Sequence, residues 1–133
     1  MNVDSLDPVG QMSPHAQALY RELPRSGAPD SRTGYAQGQG GSVRDGVVVC
    51  FWLYQRDGRI ADARFEAFGC PATLAAAAWT AEYSVGRTPE ELRELKGLDI
   101  ADALALPASR TGVALVVEDA LRAALNDAEQ ICH

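Results

Sequence analysis

The clearest pattern in the chain is a continuous apolar run followed by a second, alternating run. Residues 47–54 are β-branched and aromatic, which predicts a strand that is apolar on both faces. Asp57-Gly58 is a hairpin signal, and residues 60–68 are predicted to form the returning strand. Its alternation places four residues on one face: Ala61, Ala63, Phe65 and Ala67. Together these segments predict an antiparallel meander.

Helical patterns flank the two strands. Ser13-Pro14 combines an N-cap with a proline at the first helical position, and the helix should end at Pro24. Residues 24–46 read as a loop with one weak strand near 33–39. After Cys70 the chain is predicted to be helical throughout, in segments 71–85, 89–97, 99–105 and 111–129.

This order of elements predicts an α+β fold. We expect a small antiparallel sheet of about three strands, with one N-terminal helix and several C-terminal helices packed on one face. The chain has 133 residues, which is enough for one core. We therefore predict a flexible tail over residues 1–12 and a single domain over residues 13–133.

Composition restricts the kinds of partner that the protein is expected to bind and the compartment in which it is expected. The net charge of −6 argues against a nucleic-acid partner, and no apolar run is long enough to span a membrane. The N-terminal residues are acidic and lack a signal-peptide core. Three cysteines, an odd number, then indicate reduced thiols, so we expect a cytoplasmic protein.

Cys70 is the candidate for chemistry. It follows Gly69 at the point where the second strand passes into an alanine-rich helix. The free N–H groups and dipole of a helix N-terminus favour a thiolate, which makes such a cysteine a metal ligand or a nucleophile. The alternative is an inert, buried cysteine, which is common among free cysteines.

Several motifs around Cys70 resemble the U-type iron–sulfur cluster scaffold family (IscU, SufU and the N-terminal domain of NifU). Residues 62–65 (DARF) and 68–70 (FGC) are the most specific part. The segments 86–107 and 118–124 support the resemblance, which runs from about residue 47 to residue 127. It implies an IscU-like fold and a role in iron–sulfur cluster assembly.

In that family three cysteines and an aspartate or histidine meet at one end of the fold, and only one of these cysteines, Cys70, is present here. Gap-free counting places Arg44 at the first cysteine and Gly46 at the aspartate, with Asp45 adjacent as a weak substitute. It places Gly112-Val113 at the family's His-Cys pair. Residues 106–110 (LPASR) replace a related "LPPVK" motif.

These departures change the expected cofactor chemistry. An iron–sulfur cluster needs about four ligands, and Cys70 offers one. Arg44 near Cys70 would stabilise a thiolate and repel a metal cation. The resemblance thus implies an iron–sulfur cluster, whereas the residues argue against autonomous cluster binding and against a zinc site.

The other cysteines do not complete the site. Cys50 lies in mid-strand and is predicted to be a buried apolar residue. Cys132-His133 lies beyond the end of the last helix, about 27 Å from its start, and is predicted to be a frayed terminus.

We therefore predict an accessory, scaffold-like protein of iron–sulfur cluster assembly in which Cys70 accepts persulfide sulfur or supplies a single ligand. The implied partners are a cysteine desulfurase, other assembly proteins, and a second copy that shares one cluster. The alternative is a regulatory or interaction module that binds no metal. A thiol enzyme would need a positioned base beside Cys70, and neither histidine is predicted there, so we expect no enzymatic activity.

Overall fold

The computed structural model describes residues 12–131, without the side chain of Ile131. Its helices and strands follow the predicted order and are, in sequence: α1 (Pro14–Glu22), β1 (Tyr35–Ser42), β2 (Val47–Arg56), β3 (Arg59–Phe68), α2 (Pro71–Ser84), α3 (Pro89–Arg93), α4 (Gly97–Ala103), a 3-10 turn (Ala108–Arg110) and α5 (Thr111–Ile131). The predicted α+β class is confirmed.

The three strands form one antiparallel sheet in the order β1-β2-β3. Asp57 and Gly58 join β2 to β3 with positive φ angles of 55° and 77°, the conformation of a tight hairpin turn. The inner face of the sheet carries fully buried residues such as Phe51 and Phe65, which pair across β2 and β3. The helices cover this face, as predicted.

Because of a β-bulge, the residues of β3 that face the core differ from those predicted. Tyr54 pairs with Asp62 and Gln55 pairs with Ile60, so Ala61 has no partner on β2. The extra residue interrupts the alternation of side chains. Ile60 therefore enters the core with 1% exposure, and Ala61 is exposed instead of lying beside Ala63.

Strand β1 is longer than the weak strand predicted near residues 33–39. Its inner positions are Ala36, Gly38 and Gly40, which alternate with exposed glutamines and are all buried. A Cβ atom on Gly38 would lie 2.0 Å from the backbone nitrogen of Ala124. A Cβ atom on Gly40 would lie 2.6 Å from the carbonyl oxygen of Val116. The glycines thus let the backbone of α5 lie directly against β1.

Helix α2 is the central helix and is buried on most of its circumference. Four consecutive alanines, Ala75 to Ala78, have 0% exposure. The small side chains allow β3, α1 and α5 all to pack closely around it.

The later helices have different ends from those predicted. Thr88 caps α3 by accepting from the N–H of Glu91, as the capping box predicts, but the helix ends at Arg93 rather than near residue 97. Asp99 is not the N-cap of α4. Its carboxylate accepts from the N–H of Lys96 at 2.9 Å and so stabilises the first turn from within the helix.

Residues at both ends of the chain lie outside the described part. The prediction of a flexible tail stays a prediction for residues 1–11, while Met12 is buried in the core with 5% exposure. Cys132 and His133 are also outside the described residues. None of the helices in the described part is long and apolar enough to cross a membrane.

Asp62, the first residue of the DARF motif, links β3 to β1 and to the segment that follows α1. Its carboxylate accepts from Tyr35 Oη at 2.5 Å, and from Arg25 and Arg64 at 3.2 Å each. Burial raises the pKa of Asp62, but the hydrogen bonds and the charges of the two arginines outweigh it, so the pKa lies below its usual value. Arg25 also holds the edge of β3, because its carbonyl accepts from Phe65.

The close contact between β1 and α5 predicts a steric penalty at Gly38. Gly38→Ala should lower the free energy of unfolding by about 3 kcal/mol, because the added methyl group has to displace helix backbone. Chemical denaturation followed by circular dichroism measures this change. Gly112→Ala is the control: its Cβ would meet no atom within 4 Å, so stability should stay the same or rise by about 0.5–1 kcal/mol. Equal stabilities for the two variants would contradict the packing.

The Asp62 cluster predicts a pH-dependent contribution to stability. Because folding lowers the pKa of Asp62, its contribution is present above the unfolded pKa of about 4 and is lost as the pH falls through the folded pKa. Asp62→Asn should cost about 1–2 kcal/mol at pH 7 and progressively less toward pH 3. Denaturation series at several pH values test this. Asp30, which makes no hydrogen bond in residues 12–131, supplies the control variant Asp30→Asn. A penalty independent of pH would contradict the assignment.

Candidate functional site

Three segments meet at one end of the sheet, which we call the site end. The turn of residues 43–46 joins β1 to β2, where Ser42 pairs with Val47. The last residue of β3, Phe68, pairs with Val48 at the same end and leads directly into Gly69-Cys70. Helix α5 runs antiparallel to β1, so its first residues point toward this end. The structure thus brings together the segments that carry the predicted site residues.

Cys70 is the N-cap of α2, as its place before Pro71 predicts. Its backbone is extended, with φ −75° and ψ 167°, and its carbonyl accepts from the N–H groups of Thr73 at 2.9 Å and Leu74 at 3.3 Å. Cys70 is half-buried.

Gly69 and Thr73 shape the immediate surroundings of the thiol. The sulfur of Cys70 lies 3.4 Å from Oγ1 of Thr73, which is fully buried. A Cβ atom on Gly69 would lie 2.7 Å from the same oxygen, so a larger residue before the cysteine would force Thr73 to move.

The electrostatic surroundings favour the thiolate. Burial raises the pKa of Cys70, but this effect is outweighed by the side chain of Thr73, by the N–H groups of Thr73 and Ala72, and by the positive charge of Arg110. The pKa of Cys70 therefore lies below its usual value. Each of these groups stabilises negative charge on sulfur, as expected at a helix N-terminus.

The residues of the β1–β2 turn do not complete a set of metal ligands around Cys70. Arg44 makes no hydrogen bond or ion pair in residues 12–131, and the cation that acts on the thiol is Arg110. Asp45 is occupied locally: Ser42 Oγ donates to its carboxylate at 2.8 Å. Gly46 has a φ of 76°, a left-handed conformation that disfavours most side chains.

Gly112 and Val113 lie in the first turn of α5 and supply no ligand. Gly112 is exposed and faces open space, and Val113 is half-buried. Within the described residues, no group of three or more histidine, cysteine, aspartate or glutamate side chains could hold a metal ion. A cluster with four protein ligands does not fit this donor set.

Cys50 lies away from the site, on the outer face of the sheet. It is 8% exposed, and Gln37 Nε2 donates to its sulfur at 3.4 Å. Burial raises the pKa of its thiol, which keeps it protonated and inert. The prediction of a buried apolar cysteine is confirmed.

Two residues of the site are not singled out by the sequence pattern. Thr73 looks like an ordinary helical residue, and only its spacing of three from Cys70 could have indicated a contact. Arg110 stands at the lysine position of the family's "LPPVK" motif, so the motif could have indicated a positive charge there, but not its effect on the thiol.

The fold defines a class of α+β domains in which one hairpin turn and the N-termini of two helices lie at the end of the sheet that carries a cysteine. The family model described as "NifU-like N terminal domain" matches residues 16–132. The chain therefore belongs to the NifU-like N-terminal domain family, and the resemblance drawn from its motifs is confirmed.

Individual relatives agree with this assignment. The chain is 37% identical over 71 residues to the iron–sulfur cluster assembly scaffold protein IscU of Rickettsia prowazekii, covering 53% of this chain and 54% of that protein. It is 38% identical over 71 residues to the iron–sulfur cluster assembly enzyme IscU of Drosophila melanogaster, covering 53% and 46%. The matches span only about half the length of these curated relatives.

Solved structures support the fold. A nitrogen-fixing NifU-like protein (N-terminal) from Brucella abortus matches with a TM-score of 0.66 at 20% identity, over 89% of this chain and 94% of that one. At this identity the match shows a shared fold.

The placement of Arg110 predicts a shift in the titration of Cys70. Arg110→Gln should raise the pKa of the thiol, because it removes a positive charge that stabilises the thiolate. The rate of iodoacetamide alkylation as a function of pH, followed by mass spectrometry at Cys70, measures the shift. Arg56→Gln, at the opposite end of β2, is the control and should leave the profile unchanged. A profile that does not move in the Arg110 variant would refute this electrostatic role.

Proposed function

We propose that this protein is an accessory, scaffold-like component of iron–sulfur cluster assembly that accepts sulfur as a persulfide on Cys70. The observation that carries the proposal is the lowered pKa of the thiol at a helix N-terminus, in a described part of the chain where no group of three or more histidine, cysteine, aspartate or glutamate side chains could hold a metal ion. The relatives' names supply the pathway, since both are named for iron–sulfur cluster assembly.

The proposed step is a sulfur transfer between two thiols. The thiolate of Cys70 attacks the outer sulfur of a persulfide on a cysteine desulfurase, and a new sulfur–sulfur bond forms at Cys70. The original bond to the donor cysteine breaks, and its electron pair leaves with the donor thiolate. The exchange needs no added oxidant or reductant, and a stabilised thiolate is the form that attacks.

The donor set favours sulfur acceptance over autonomous cluster binding. Arg110 and the N–H groups at the start of α2 favour an anion such as a persulfide and oppose a bound cation. In this proposal Cys70 supplies at most one ligand to a cluster shared with a second copy or another assembly protein. Within residues 12–131 no group of three or more histidine, cysteine, aspartate or glutamate side chains offers a closed zinc site.

The role is proposed to be non-enzymatic and cytoplasmic. Thr73 is the side-chain partner of Cys70 among the described residues, and it is not a base. His15 is exposed, and its side chain makes no hydrogen bond in this part of the chain. Cys50 and Cys70 are both free thiols, which suits a reducing compartment. A purely regulatory module is less well supported, because it would give the stabilised thiol no task.

Persulfide transfer is tested directly with a cysteine desulfurase and free cysteine. Wild-type protein should gain the mass of one sulfur atom on Cys70, detected after alkylation and peptide mass spectrometry. Cys70→Ser should gain none, and Cys50→Ser should behave like wild type because Cys50 is buried. Absence of persulfide on wild-type Cys70 would overturn the proposed function.

Cluster reconstitution with iron and sulfide under anaerobic conditions tests whether the same protein lacks the ligands that a cluster needs. Wild type alone should hold no stable cluster absorbance. Arg44→Cys combined with Gly112→His and Val113→Cys should gain it, since Gly112 has open space for a side chain. Gly46 stays unchanged because of its positive φ. A stable cluster on the isolated wild-type monomer would show that the donor set has been misjudged.

A further inference from the structure

Helix α2 contains three fully buried residues with hydroxyl groups: Thr73, Thr80 and Ser84. Two of them are satisfied within the helix. Thr80 donates to the carbonyl of Ala76 at 2.8 Å, and Ser84 donates to the carbonyl of Thr80 at 2.7 Å. This is the usual bond from a helical hydroxyl to the carbonyl four residues back.

Thr73 has no such bond, because it lies in the first turn. The residue four positions back is Gly69, which precedes the helix. The carbonyl of Cys70, three positions back, already accepts from Thr73 and Leu74. Among the described residues the sulfur of Cys70 is the side-chain partner of the Thr73 hydroxyl, at 3.4 Å. A buried hydroxyl without a partner is costly, so this contact matters to both residues.

Gly69 leaves space for the Thr73 side chain next to Cys70. A Cβ atom on Gly69 would lie 2.7 Å from Oγ1, 3.1 Å from Cβ and 3.2 Å from Cγ2 of Thr73. The Thr73 side chain thus occupies the space that a side chain at Gly69 would need. The absence of that side chain leaves room for the hydroxyl to lie beside the sulfur.

We propose that Thr73 is a positioning residue for Cys70: its buried hydroxyl, beside a glycine that leaves it room, holds the sulfur in one orientation. The inference rests on the proposed function for its purpose but not for its geometry. An ionised sulfur can only accept a hydrogen bond, so Thr73 is the donor in the reactive form.

The test compares three variants at one pH. Thr73→Val keeps the shape and removes the hydroxyl, Thr73→Ser keeps the hydroxyl, and Thr80→Val removes a matched buried hydroxyl that has a carbonyl partner. Side-chain coupling constants from nuclear magnetic resonance report the rotamers of Cys70. We expect one rotamer in wild type, Thr73→Ser and Thr80→Val, and averaging among rotamers in Thr73→Val.

The rate of sulfur transfer to Cys70 supplies a second measurement. Thr73→Val should slow the transfer about fivefold, the effect of one hydrogen bond of ordinary net strength. Thr73→Ser and Thr80→Val should stay near the wild-type rate. Alkylation of buried Cys50 should stay equally slow in every variant, which shows that the fold has not loosened.

The outcomes separate this inference from the proposed function. A single Cys70 rotamer in Thr73→Val, or the same averaging in Thr80→Val, would overturn the role of Thr73. Averaging confined to Thr73→Val supports that role even if wild type accepts no sulfur, in which case the proposed function alone fails.

Discussion

The contact between the backbone of α5 and the glycines of β1 determines the geometry of the rest of the molecule. Because Gly38 and Gly40 carry no side chains, the backbone of α5 lies directly against the backbone of β1. Backbone contacts therefore set the distance between the helix and the strand. The start of α5 and the preceding Arg110 are thereby brought to the end of the sheet where β3 delivers Cys70. The site is therefore a product of close backbone packing between elements distant in sequence.

The chemistry of the site follows from what surrounds a single sulfur atom. A metal cluster shares its charge among several thiolates, whereas Cys70 has hydrogen-bond donors and an arginine as neighbours. Such neighbours stabilise an isolated anion and do not extend a coordination sphere. This difference is the physical basis for the proposal that Cys70 accepts sulfur rather than completing a cluster site.

Local signals in the sequence predict the parts of the fold that depend on neighbouring residues. The hairpin at Asp57-Gly58, the cap at Thr88 and the placement of Cys70 before α2 all follow from short motifs. The bulge at Ala61 does not, since it depends on pairing with β2. Nor does the full length of β1, whose glycines look like a loop until α5 is seen against them. Arg110 reaches the thiol only through tertiary packing.

The open space beside Gly112 has a consequence for how such a site can change. Arg44 makes no hydrogen bond or ion pair in the described part of the chain, and a side chain at Gly112 would meet no neighbour, so substitution at either position leaves the core untouched. Thr73, by contrast, is fully buried, and a side chain at Gly69 would collide with it. Substitutions at Arg44 and Gly112 can therefore change the chemistry of this end of the sheet without disturbing the packing around Cys70.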